Sequence, residues 1–230
     1  MALYEKYIGR SRDDFATLTD LEQNYTITAG ENFNFAYDVV DLLGTESADQ
    51  LAILWVGENG EERRFTFGDV MRLTNQTANF FKAQGLVKGD KVMLVLKRGY
   101  QFWFALLALH KLGAVVIPAT HLLKPRDIVY RCNGAGVRMV VMTGDGDVSK
   151  AMEAALPRCK TVEILAMTKR CKDGWVNFDA GVAAASDQWT RPVGDADTKS
   201  TDQSIIFFSS GTTGYPKMVS HDFTYPWCPS

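Results

Sequence analysis

Residues 91–142, KVMLVLKRGYQFWFALLALHKLGAVVIPATHLLKPRDIVYRCNGAGVRMVVM, decide the architecture. After the Gly89-Asp90 turn, residues 91–96 read as a strand. Residues 101–112 read as a buried helix closed by Gly113, and 114–117 as a second strand stopped by Pro118. Pro125 suits the first turn of another helix, with Ile128, Val129 and Cys132 as its apolar face and Gly134 as its close. Residues 139–142 then return to strand. Strands separated by helices pair in parallel, because a crossover helix must carry the chain back to the starting edge. The pattern therefore predicts an α/β fold with a helix-covered, mostly parallel sheet.

Working outward, Asp147 is placed to cap a helix reaching about residue 156, and 162–166 is another apolar run. Residues 187–203 carry Pro192, Gly194, Asp195, Asp197, Lys199 and Asp202 with little to bury, so a surface loop is expected. It leads into an apolar strand at 204–208. Upstream, 33–43 has helical spacing of Phe33, Ala36, Tyr37, Val40 and Leu43, with Gly44 as the stop. Residues 51–56 and 64–67 flank Asn59-Gly60, a hairpin signal. Thr66 and Asp69 then have capping-box spacing before a helix that ends near Gly85.

Composition excludes several classes. The chain of 230 residues is 46% hydrophobic and 23% charged, with a net charge of −2 from 25 basic and 27 acidic side chains. These are globular values, and no basic stripe is present to track a nucleic-acid backbone. The longest apolar run, 102–109, falls well short of the ~18 residues of a membrane span. Cys132, Cys159, Cys171 and Cys228 match no zinc or redox spacing and are expected as reduced thiols. The polar N-terminus offers no apolar leader, so a cytoplasmic location is expected.

The chemistry concentrates at residues 209–217, SSGTTGYPK. Four hydroxyls, two glycines and a cation follow directly on the strand at 204–208. Gly211 and Gly214 allow backbone amides to converge on an anion, hydroxyls donate to its oxygens, and Lys217 adds a point charge. From turn chemistry alone, a flexible Ser/Thr/Gly turn with a solvated lysine explains the same residues equally well. The spacing of the nucleotide-binding P-loop is absent, because Tyr215-Pro216 separates Gly214 from Lys217. Residues 218–221 look strand-like, so a loop between two strands is expected. With no apolar anchor of its own, 210–215 is expected to stay mobile until phosphates order it.

This stretch resembles the phosphate loop of the acyl-adenylate-forming, or AMP-binding, enzymes: Ser/Thr-Ser/Thr-Gly-Thr-Thr-Gly, any residue, Pro-Lys-Gly. All positions match but the last, which is Met218 here. That methionine, with Gly89-Asp90-Lys91-Val92, Leu112-Gly113-Ala114-Val115 and Ile117-Pro118-Ala119-Thr120, is most similar to medium-chain acyl-CoA synthetases. The resemblance covers about residues 33–225. It implies two steps: a carboxylate attacks the α-phosphate of ATP to give acyl-AMP and pyrophosphate, and the thiol of coenzyme A then takes the acyl group. By position, it implies that Ser210, Gly211, Thr212, Thr213, Gly214 and Lys217 contact the β- and γ-phosphates. Lys217 would act catalytically by charge and not as a base. Magnesium would be carried on the phosphate oxygens and not by protein ligands.

The same resemblance leads us to expect residues 1–230 to be a partial N-terminal domain lacking a C-terminal lid, because such enzymes run to more than twice this length. The chain stops before the family's adenine, ribose and hinge motifs, so on its own it is expected to be inactive. Two alternatives stay open: an adenylation enzyme that loads a carrier protein, and a non-catalytic truncated module that binds phosphate or a partner. The acyl chain and the oligomeric state are not legible.

Weaker signals favour structural roles. His221-Asp222 has only His110 and His121 as further histidines and no ligand spacing. Gly144-Asp145-Gly146-Asp147 lacks the dinucleotide fingerprint, and Ser209 and Ser210 lack the glycines of a nucleophile elbow. Tyr100, Phe102, Trp103 and Phe104 sit on the most apolar helix, where core packing outweighs a role in an acyl pocket.

Overall fold

The computed structural model describes residues 6–7, 14–144, 147–209 and 214–227. Seven strands form one sheet: β3 (Lys91–Val95), β4 (Val115–Pro118), β5 (Val137–Thr143), β6 (Ile164–Thr168), β7 (Val176–Asn177), β8 (Gln203–Ser209) and β9 (Lys217–Asp222). Their order is β7-β6-β5-β3-β4-β8-β9. Every neighbouring pair is parallel except β8 and β9, which form an antiparallel hairpin. A separate antiparallel hairpin joins β1 (Leu51–Val56) to β2 (Glu62–Thr66), as the Asn59-Gly60 signal predicts. The expected α/β fold is the one observed.

Central strands read as continuous apolar runs because helices cover both faces. Val92 and Leu94 of β3 pack with α3 (Phe67–Ala83), α4 (Gln101–Leu112) and α7 (Phe178–Ala184). Met93 and Val95 point the other way, into a cluster with α5 (Pro125–Ala135) and α6 (Val148–Ala155). A third cluster sets Ala36 and Val40 against Val70 of α3 and Phe104 and Leu107 of α4.

Several boundaries follow from local chemistry. Thr66 caps α3 by accepting the Asp69 amide hydrogen at 3.2 Å, and the Asp69 carboxylate accepts the Thr66 N–H at 3.2 Å. These bonds hold the Asp69 carboxyl below its usual pKa, chiefly through the Thr66 backbone. Gly113 closes α4 at φ 73°.

Two glycines act differently from expectation. Gly134 lies inside α5, and the left-handed close falls to Gly136 at φ 70°, which lets Ala135 reach the core. Gly44 does not stop a helix either. Residues Ala36–Asp41 form a π-helix that continues into α2 (Leu42–Glu46), so Gly44 sits inside a helix. A Cβ there would lie 2.8 Å from that of Met71, so close packing against α3 accounts for this glycine.

Asp147 occupies the N-cap position of α6, but its carboxylate pairs with Lys150 at 2.8 Å and makes no cap bond. The short α1 (Leu18–Asn24), β7 and α7 lack sequence periodicity and were not anticipated.

Residues 187–203 are strapped down, contrary to a plain surface loop. Thr198 is buried, and its hydroxyl accepts from the Asn34 amide at 3.1 Å. Arg191 pairs with Asp197 at 3.0 Å and reaches Asp38 at 3.5 Å. The Trp189 indole donates to the Tyr37 hydroxyl at 2.8 Å, and that hydroxyl donates to the Lys111 carbonyl at 2.8 Å. Burial pushes the Tyr37 phenol above its usual range. Lys111, with its side chain fully enclosed, donates to Asp41 at 2.7 Å and to Asn75 at 2.5 Å. Burial lowers the Lys111 pKa against the pull of Asp41, and burial raises that of Asp41.

Candidate functional site

β8 delivers the chain to the carboxyl end of the parallel sheet, the edge where open α/β sheets place their ligand sites. β9 takes it away. Ser209 and Lys217 face each other across the hairpin, so the two legs of the intervening loop leave the sheet side by side. A loop between two strands is therefore the observed setting. Of the expected site residues, Ser210, Gly211, Thr212 and Thr213 lie outside the described residues. Gly214 has φ 147°, a region that favours glycine. Lys217 opens β9 with an exposed side chain, and among the described residues its ammonium has no ion pair.

The leaving leg does carry an apolar anchor, which corrects the expectation that 210–215 has none. Tyr215 stacks on Tyr130 of α5, with ring centroids 4.6 Å apart and planes 21° apart. The Tyr130 hydroxyl donates to the Pro216 carbonyl at 2.9 Å. The same ring meets Phe208 of β8 edge-on at 6.3 Å. Next to it, the Arg131 guanidinium lies over the Phe208 ring at 5.0 Å. Sequence reasoning missed Tyr130, because an aromatic on a helix gives no sign of which loop will pass beside it.

His221 faces Phe207 and Tyr225, at 5.7 and 4.1 Å between ring centroids, near the end of β9. Ser204 donates to the backbone carbonyls of His221 and Asp222, which ties this end of the hairpin together. Among the described residues, no three His, Cys, Asp or Glu side chains converge as a metal site. Cys132, Cys159 and Cys171 are free thiols, and burial raises the Cys132 pKa. Cys228, Asp145 and Gly146 lie outside the described residues.

A cavity of about 930 Å³ opens on the face of the sheet beside β8, walled by Val39, Leu43, Trp103, Leu106, Phe207 and Tyr225. The aromatic patch divides here. Phe104 is core, packed edge-on to Phe65 at 5.2 Å, whereas Phe102 and Trp103 border the cavity. His110 also borders it, 7% exposed, with neither ring nitrogen hydrogen-bonded. Burial depresses its pKa from 6.5 to about 4, against a smaller opposing effect from the Ser204 backbone.

The parallel sheet and its β8–β9 hairpin define an α/β domain, and the chain belongs to the AMP-binding enzyme family, whose pattern matches residues 44–225. Over 226 residues it is 32% identical to the mitochondrial acyl-coenzyme A synthetase ACSM3 of Mus musculus, covering 95% of this chain and 38% of that protein. It is 35% identical over 197 residues to the mitochondrial acyl-coenzyme A synthetase ACSM2 of Rattus norvegicus, covering 82% of this chain and 33% of that protein. The chain thus spans well under half the length of these relatives.

Two solved structures share the fold. The anthranilate CoA ligase AuaEII in complex with anthranoyl-AMP superposes with a TM-score of 0.73 at 21% identity, over 86% of this chain and 36% of that one. An acyl-CoA synthetase of Brucella canis gives 0.70 at 23% identity, over 83% and 33%. The described residues contain no helix long and apolar enough to cross a membrane.

Proposed function

We propose that this chain is part of an AMP-forming acid–thiol ligase, an acyl-CoA synthetase that turns a carboxylic acid into acyl-AMP and then into its coenzyme A thioester. One observation carries the reading: in a member of this family, the chain leaves β8 at Ser209 and enters β9 at Lys217 as paired neighbours at the carboxyl edge of the sheet, with the sequence SGTTGYP between them. The names of the mouse and rat relatives support the same activity.

In this reading, Ser210, Gly211, Thr212, Thr213, Gly214 and Lys217 hold the β- and γ-phosphates of ATP. The substrate carboxylate oxygen attacks the α-phosphorus, the bond to the bridging oxygen breaks, and pyrophosphate leaves. Charge grows on the leaving oxygen as that bond lengthens. Loop donors that hold that oxygen lower the barrier, and Lys217 contributes a permanent positive charge without moving a proton. The coenzyme A sulfur then attacks the acyl carbon and AMP departs. Magnesium fits the reading as an ion carried by the phosphates, in keeping with a site built from amides, hydroxyls and one lysine and no carboxylate.

Residues 1–230 are read as a partial N-terminal domain, with the lid domain outside them. The 38% coverage of the mouse relative supports this. The mitochondrial names of the relatives weigh against the cytoplasmic location expected from the N-terminal residues. Loading of a carrier protein in place of coenzyme A, or binding of phosphate without catalysis, are the readings to be beaten.

ATP–pyrophosphate exchange with octanoate, benzoate and acetate tests the proposal. The 230-residue chain is expected to show none, and a chain extended to the relatives' length to show exchange. In the long form, Lys217→Ala is expected to slow exchange by about 10², as for other single donors to a developing charge. Robust exchange by the 230-residue chain overturns the partial-domain reading. An unaffected Lys217→Ala returns the loop to an ordinary turn.

A further inference from the structure

Tyr130 touches both legs of the loop between β8 and β9. Its ring meets Phe208 on the entering strand at 6.3 Å and stacks on Tyr215 of the leaving leg at 4.6 Å. Its hydroxyl closes on the Pro216 carbonyl at 2.9 Å. Pro216 has no backbone N–H and a fixed φ, so its carbonyl is the only backbone hydrogen-bonding group it offers the scaffold. Tyr215 is 67% exposed, so its stack on Tyr130 adds little to the core. The residue after Gly214 is the one the loop's pattern leaves unspecified, and here it is the aromatic that meets α5.

We propose that Tyr130 is a positioning residue for the phosphate loop: by stack and hydrogen bond it pins Tyr215-Pro216 to α5 and so fixes where Lys217 enters β9. The proposal rests on the loop being a phosphate site. A loop held at its exit gives up less conformational freedom when an anion binds, so the anchor raises affinity without touching the ligand. α5 suits the task because it is itself fixed, with Ile128 and Cys132 buried against the sheet and Asp127 closing its first turn onto Lys124. Arg131 adds a second hold on the entering leg through Phe208, so both legs are tied to one helix.

The test uses inorganic pyrophosphate with magnesium and the full chain. Tyr130→Phe keeps the stack and removes the hydroxyl donor, and Tyr130→Leu removes both. Tyr215→Leu removes the stack from the exposed side, where folding is not at stake. With one hydrogen bond lost, pyrophosphate binding is expected to weaken about fivefold in Tyr130→Phe, and with the ring pair lost as well, about thirtyfold in Tyr130→Leu. Tyr215→Leu is expected to match Tyr130→Phe, and adding it to Tyr130→Leu to cost nothing more. Amide hydrogen exchange at Tyr215 and Lys217 should quicken in the same order, while the thermal midpoint of Tyr130→Phe falls by no more than the about 2–4 °C that one hydrogen bond accounts for in a chain of this size.

Unchanged exchange at Tyr215 and Lys217 in Tyr130→Leu overturns the anchor, as does faster exchange with undiminished pyrophosphate affinity. A drop in affinity that follows the thermal midpoint assigns Tyr130 to general stability and overturns the proposal as well. Absence of pyrophosphate binding by the wild-type chain overturns the phosphate reading and the affinity role together. In that case exchange still decides separately whether Tyr130 orders the exit.

Discussion

Replacing His110 with phenylalanine should make the protein less sensitive to mild acid. His110 lies at the end of α4 with its ring edge-on to Phe223 at 5.2 Å, and both of its nitrogens are unpartnered. Burial holds its pKa at about 4, against 6.5 for the free side chain. The unfolded chain therefore binds a proton between those two pH values and the folded chain does not. Stability contributed by keeping the ring neutral is complete above pH 6.5 and is lost as pH falls toward 4. At about 1.4 kcal/mol per pH unit the full loss is about 3 kcal/mol, of which about 2 kcal/mol is already gone at pH 5.

Urea denaturation of wild type and His110→Phe at pH 7.5, 6.5, 5.5 and 5 isolates this contribution, because the carboxylates titrate alike in both proteins. The variant's stability relative to wild type should rise by about 2 kcal/mol from pH 7.5 to 5. Phenylalanine also suits the apolar wall chemically, and the adjoining cavity gives room for its extra volume. A difference between the two proteins that stays flat across this range refutes the argument. It would mean that water in the cavity solvates the imidazolium as well as bulk water does.

Two further substitutions probe the frame that carries the site. Lys111→Met removes the only ammonium paired with Asp41 among the described residues and leaves that half-buried carboxylate unmatched. A loss of about 3 kcal/mol is expected in urea unfolding at pH 7. Adding Asp41→Asn to Lys111→Met should recover part of it, and no recovery would place the cost in packing alone. Gly113→Ala puts a side chain at φ 73° and a Cβ 2.9 Å from Lys88 Cγ. The expected cost is about 1–2 kcal/mol, read as a lowered thermal midpoint, and a neutral effect would show that the turn after α4 can re-form.

The sheet was legible where one residue's chemistry settles a boundary. Gly113 after an apolar helix, Pro125 at a first turn and the Thr66–Asp69 pair are local signals, and each stands where its chemistry placed it. Signals that depend on distant partners misled. Gly44 looks like a stop until Met71 is seen beside it, and Thr198 looks exposed until Asn34 reaches it from the other end of the chain. The two-residue β7 and the Ala- and Gly-rich α7 carry too little pattern to be read at all. For the site, the composition of residues 209–217 announced the loop and its strand-to-strand setting. The role of Tyr130 was hidden because the crossover from β4 through α5 to β5, and no sequence neighbour, brings it to the loop.

The bond between β4 and β8 bears on the order in which this protein assembles. β3, β4 and β5 are joined to one another by several consecutive ladder partners within a short stretch of chain. β8 meets β4 at one partner pair, Val116 with Ile205, drawn from distant parts of the sequence. Closing so long a loop costs entropy that only later contacts return, so the βαβ centre is expected to form first and the hairpin bearing the loop to dock onto it afterwards. Opening runs in reverse. The β8–β9 hairpin is expected to be the first part of the sheet to open, and faster proteolysis of the strap at residues 187–203 than of the β3–β5 centre would report it.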